Sequence, residues 1–166
     1  GIDPGHTEAL LYAARILSDS RQFDLAADAF DEVPPDDPQF VEAQLARADA
    51  YLEDDRGEEA VATLRALAET HGTLATVQAS LGDALRRTEQ CEEAIPVYTA
   101  ALDLVDPTQE RYWVLFFTRG ICHEMTGDYI ASEADFRQAL VLNPEQPQVL
   151  NNLGYSLVEQ RRNLDE

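Results

Sequence analysis

Lysine is absent from this chain. All 12 basic residues are arginine, set against 32 acidic residues, for a net charge of −20 over 166 residues. No basic stripe can form from that balance, so nucleic acid and anionic membrane are poor partners on electrostatic grounds. The acidity suits a basic peptide, although carboxylates on exposed helix faces also serve simply to keep a chain in solution. Exclusive use of arginine points to a GC-rich, bacterial genome. Long apolar runs are missing as well: nothing approaches the roughly 20 apolar residues of a membrane span. No leader sequence is visible, which leaves the compartment open between cytoplasm and periplasm.

Residues that carry chemistry are scarce. The three histidines, His6, His71 and His123, have no Cys, Ser or acid at a spacing that fits nucleophilic catalysis or zinc. His71 reads as a surface residue or a dipole partner at a helix C-terminus, and His123 as a core histidine. The two cysteines, Cys91 and Cys122, read as small buried hydrophobes in reduced form; a disulfide between them is the alternative. Glycine is scattered and forms no phosphate loop. The acidic run Glu53-Asp54-Asp55-Arg56-Gly57 lacks the alternating ligands and closing Glu of a calcium loop, and reads as a turn before a helix. No enzyme, cofactor or metal is expected.

What is present is a rhythm. A small residue recurs as Ala14, Ala48, Gly82, Gly120 and Gly154, at intervals of 34, 34, 38 and 34 residues. A second small position recurs as Ala26, Ala60, Ala94 and Ser132, spaced 34, 34 and 38. Four residues after each comes a large apolar side chain: Phe30, Leu64, Tyr98 and Phe136. The stretch Phe116–Pro144 shows the pattern most fully, as two short amphipathic helices around a turn at Gly127-Asp128.

Helices are expected over Glu8–Asp19 and Asp24–Glu32, with Asp24 placed to cap the second. The prolines Pro34, Pro35 and Pro38 stop it. The next pair covers Val41–Leu52 and Glu58–Glu69, closed by Gly72 as a left-handed cap. The third covers Leu74–Arg87 and Glu92–Leu104, with a slight bend at Pro96. Thr108 reads as the cap of a longer, aromatic-rich helix from about Gln109 to Met125.

A period of 34 residues with two helices per period resembles the tetratricopeptide repeat. By that resemblance the repeats are 7–40, 41–74, 75–108 and 113–146, with a partial fifth over 147–166. Residues 109–112 are an insertion, and residues 1–6 resemble a cloning remnant or an N-terminal tail. The match is strongest in the fourth repeat and in Leu150–Gln160. It is weakest in the second, where Gln44 and Arg47 replace apolar residues; Arg119 makes the same replacement in the fourth.

The resemblance implies an all-α tandem helix-turn-helix repeat solenoid, a right-handed superhelix whose first helices line a concave groove that binds a protein or peptide. Carried over by register, the groove shows Leu11, Tyr12 and Arg15, then Leu45, Asp49 and Leu52. It continues through Ser80, Asp83, Arg86 and Arg87 to Phe117, Thr118, Ile121 and Met125. Asn151, Asn152 and Tyr155 complete it. Phe117, Ile121 and Met125 recur every four residues on one helical stripe, either a docking patch or core. Arg86 and Arg87 suit an acidic ligand group unless Asp83 pairs with them. The family's chaperone-tail binders use a clamp of Lys, Asn and Arg. Those places here hold Leu11, Arg15, Ala46, Thr76 and Ser80, so that ligand class is not expected. The alternative function is a structural spacer, or self-association through the open face of the fifth repeat.

Overall fold

The computed structural model describes residues 4–165, with side chains over 6–161. Among the described residues the chain is all-α, and helices alternate with short turns along its whole length. It divides after Gly72 into two compact units. The first unit holds α1 (Pro4–Asp19), α2 (Phe23–Asp31), α3 (Phe40–Glu53) and α4 (Gly57–His71). The second holds α5 (Ala75–Arg87), α6 (Cys91–Asp103), α7 (Trp113–Met125), α8 (Tyr129–Leu142) and α9 (Pro147–Asp165), with a 3₁₀ turn over Glu110–Tyr112. Within each unit every helix packs on its neighbour in sequence.

The two periodic series meet in space. Tyr98 and Phe136 are fully buried, and each ring lies on the backbone of the preceding helix at the small residue of its own pair. A Cβ added at Gly82 would sit 2.7 Å from the Tyr98 ring, and one at Gly120 would sit 2.7 Å from the Phe136 ring. In the first unit Ala14, Ala26, Phe30 and Val33 make the corresponding core with Leu11 and Ala43. Gly154 keeps the register in α9, but nothing lies within 4 Å of an added Cβ there.

The turns inside the helix pairs repeat just as strictly. Arg21, Asp55, Glu89 and Gly127 adopt φ of 58°, 57°, 62° and 82°, and their positions follow the same 34, 34 and 38 spacing. Each is followed by an amide that reaches back to a carbonyl five residues earlier. Gln22 donates to Leu17, Arg56 to Tyr51, Gln90 to Leu85 and Asp128 to His123, all at 2.8 Å. This is the Schellman closure, which satisfies the last carbonyls of the first helix through one left-handed residue. Glycine occupies that residue once; the other three turns carry the steric cost of a Cβ there.

Several local expectations are corrected. Gly72 is right-handed, with φ −65°, and so is not a left-handed cap. Asp24 caps nothing: the residue before α2 is Gln22, and the Asp24 carboxylate pairs with Arg56 instead. Thr108 donates its hydroxyl to Asp106 at 2.7 Å, so the α7 segment starts without it. The long helix expected from Gln109 divides into the 3₁₀ turn and α7, which begins at Trp113. Pro96 does lie inside α6, where the sequence placed it. After α2, Asp37 accepts from Thr7 Oγ1 at 2.7 Å and from the Gln39 amide at 2.8 Å. The proline-rich connection is thereby anchored on α1.

Two substitutions test this arrangement by thermal melting. Gly120→Leu is expected to cost about 1–3 kcal/mol or more through overpacking against Phe136; an unchanged melting temperature would refute the register. Glu89→Gly is expected to stabilise, and Gly127→Ala to destabilise, each by about 1 kcal/mol. Equal and opposite shifts between those two positions are the signature of a shared left-handed turn.

Candidate partner-binding site

In the first unit, small residues on α3 leave room where α1 turns into α2. Ala46 and Ala50 face Phe23 and Phe30, and the resulting recess of about 380 Å³ is rimmed by Arg15, Asp19, Arg21, Asp49 and Glu53. Two of the groove residues read by register, Arg15 and Asp49, come together at this recess although they lie on successive first helices. Arg15 pairs with Glu42 across α1 and α3, and both side chains are more than half exposed. Tyr12 is 70 % exposed, and Leu45 is half-buried. Leu11 and Leu52 are core residues and present nothing to a ligand.

The second unit treats its groove positions differently. Asp83 accepts a hydrogen bond from the Tyr98 hydroxyl at 2.7 Å and from Arg86 Nη2 at 3.2 Å. Burial pushes the Tyr98 phenol far above its ordinary value, and the Asp83 charge adds to the effect, so Tyr98 remains a donor. Asp83 and Arg86 are therefore engaged within the chain, as their spacing allows, while Arg87 is exposed.

The aromatic stripe on α7 is partly covered. Phe117 packs at 5.9 Å from the Trp113 ring and 6.0 Å from the Phe136 ring. Phe117 and Ile121 both pack on the cluster of Phe136, Ala139 and Val149, contributed by α8 and α9. Both are half-buried against those two helices, and Met125, at the end of α7, is exposed. Thr118 is buried and donates to the Val114 carbonyl at 2.9 Å. On α9, Asn151 and Tyr155 are exposed and Asn152 is half-buried.

One polar constellation went unread in the sequence. Arg119 grips Asp135 with two parallel hydrogen bonds, Nε to Oδ2 at 2.8 Å and Nη2 to Oδ1 at 2.7 Å. Its Nη1 reaches Thr99 Oγ1 at 3.0 Å, and His123 Nε2 lies 3.8 Å from the same carboxylate. The clasp joins α6, α7 and α8 in a setting where Asp135 is almost fully buried. The clue was the cation at Arg119 in an apolar place, which demands a buried anion; only the packing of α8 identifies that anion as Asp135.

Among the described residues no three His, Cys, Asp or Glu side chains gather as a metal site. Among them, no helix is long and apolar enough to cross a membrane.

With the small-residue and ring contacts in place, the family comparison reads the same architecture: residues 11–73 match the tetratricopeptide repeat model. That stretch is tetratricopeptide repeat. No curated protein matches the sequence. Among solved structures, a crystal structure of MamA superposes with a TM-score of 0.80 at 18 % identity, covering 93 % of this chain and 82 % of that one. MamA from Desulfovibrio magneticus RS-1 gives a TM-score of 0.80 at 15 % identity, over 93 % of this chain and 85 % of that one. The second repeat domain of human RPAP3, solved with an HSP70 peptide, gives 0.62 at 23 % identity, covering 68 % of this chain and 91 % of that domain. At these identities the likeness is one of fold. Tetratricopeptide repeats are protein–protein interaction modules and generally non-catalytic.

The Arg119–Asp135 clasp makes a separable prediction. Arg119→Met strands a buried carboxylate and is expected to cost about 3 kcal/mol in urea unfolding. The double variant Arg119→Met/Asp135→Leu is expected to recover most of that loss, because it removes both desolvated charges together. Additive losses in the double variant would show that the two side chains act independently.

Proposed function

We propose that this chain binds an extended protein or peptide segment on its first helices, anchored at those of the first unit. Its repeats follow the bounds read from the sequence. The observation that carries the reading is the recess at Arg15 and Asp49: an apolar floor of Phe23 and Phe30 under a rim of mixed charge. Such a slot takes one apolar side chain and orients what flanks it through a few polar groups. Asp19, Asp49 and Glu53 outnumber the rim arginines, and with a net charge of −20 they favour a basic residue beside that apolar anchor. Tyr12, exposed one turn before Arg15, offers a flat amphipathic surface of the kind enriched in binding sites. A neighbour of the same fold, the RPAP3 domain, is solved with a peptide, which supports a segment as the class of ligand.

A second reading has its own observation. Leu150, Tyr155, Leu157 and Val158 on α9, with Ile130 and Val141 on α8, are exposed large apolar side chains. Exposed apolar side chains in such number favour association, and a spacer or self-associating module needs no discrete ligand.

One pair of measurements separates the two. Affinity capture from the source lysate is run with the native chain and with Tyr12→Ala/Asp49→Arg, whose changes lie on exposed side chains and leave the core intact. A protein held by the first, lost by the second at equal helicity, is the expected result. Identical retention by both would end the case for this face. Sedimentation of the native chain as a concentration-dependent dimer, weakened by Leu157→Asp, would instead favour self-association.

A further inference from the structure

Cys91 and Cys122 lie on different helices of the second unit, yet their sulfurs are 2.6 Å apart. They are the only cysteines in the chain, and both are free and buried. Cys91 opens α6, and Cys122 lies in the last turn of α7. Both side chains therefore project from regular helix backbone, and the packing of α6 on α7 holds one sulfur against the other. The pair is not sealed from solvent. Cys91 lines a recess of about 440 Å³ with Glu89, Gln90, Met125 and Thr126, and the exposed Met125 places its Sδ 3.5 Å from Cys91 Sγ. Cys122 is fully buried and does not line the recess.

We infer that Cys91 and Cys122 are an oxidisable dithiol, a modification site whose co-reactant is a peroxide entering by the recess and whose product is an intrachain disulfide joining α6 to α7. The peroxide O–O bond accepts two electrons from the Cys91 sulfur, giving Cys91 sulfenic acid and releasing water or an alcohol. The Cys122 sulfur then attacks the Cys91 sulfur. The S–S bond forms as the S–O bond breaks, and the departing hydroxide leaves as water with the Cys122 proton. Burial pushes the Cys122 thiol up from its ordinary value, and the neighbouring Cys91 sulfur adds to this. Cys122, fully buried and off the recess, is out of reach of outside reagents and meets the oxidised Cys91 as the resolving partner. The disulfide needs no new approach of the helices, and it closes a loop that includes most of α6, the 3₁₀ turn and most of α7, restricting the unfolded chain.

The test uses the native chain, reduced, freed of reductant and treated with hydrogen peroxide at stoichiometric amounts. Iodoacetamide is then added under denaturing conditions and the intact mass is measured. The expected product has lost two hydrogens, takes up no iodoacetamide and regains both thiols with dithiothreitol. Trypsin cleaves only after arginine in this lysine-free chain, so Thr88–Arg111 and Gly120–Arg137 are expected as one linked species. The oxidised chain is expected to melt roughly 10 °C higher than the reduced one. In Cys122→Ser the reaction is expected to stop at a sulfenic acid on Cys91, trapped by dimedone. The inference fails if both cysteines still alkylate after peroxide. It fails equally if the link joins two chains, or if it forms no faster in the native chain than in one unfolded by guanidinium.

Discussion

An aromatic ring resting on bare backbone is the contact on which this structure depends. Tyr98 over Gly82 and Phe136 over Gly120 leave no space for a Cβ, and the helices of each pair approach as closely as they do because the first of them is stripped of side chain at that point. The gain is the burial of a whole ring, among the largest single apolar contributions a small fold can make. The loss is a glycine within a helix, about 1 kcal/mol against alanine, so the ring wins comfortably. In the first unit Ala14 and Ala48 fill the same place at zero and one per cent exposure.

The left-handed residue that closes each pair has the complementary role. With two helices held at close range, the connection has room for only a few residues, and it must also satisfy the carbonyls at the end of the first helix. One residue with positive φ does both. That three such turns use Arg21, Asp55 and Glu89 in place of glycine shows that pair packing overrides the local preference of the backbone. Charged residues at those turns also remain in solvent, which suits a chain with so strong an acidic balance.

The second unit spends its polar and aromatic side chains on itself. The Arg119–Asp135 clasp, the Tyr98–Asp83 bond and the Phe117 ring all consume groups that, seen one by one, have the chemistry of recognition. The first unit is different: the alanines of α3 leave a recess, and Arg15 and Asp49 stand at its rim with Tyr12 exposed nearby. Room for a further side chain in an array of similar repeats thus depends less on the repeat pattern than on where small residues interrupt side-chain packing. Conversely, a reactive pair such as Cys91 and Cys122 is brought together by that packing, from helices whose sequences show no link between them.

The sequence by itself determined the period, the alternation of helices and turns, the small and large positions of each pair and the electrostatic character of the chain. Each of these is a local or strictly periodic property: proline and glycine act on their own backbone, and a 34-residue repeat brings every pair to the same solution. It did not determine which face of a helix is covered. Phe117 and Ile121 have the spacing of a free stripe, yet both are half-buried because α8 and α9 pack on them. It did not determine partners either, since Asp135, Asp37 and the two sulfurs meet their counterparts through the rotation of one helix against the next. That rotation is set by the shapes of all the side chains between them, and only the tertiary structure decided it.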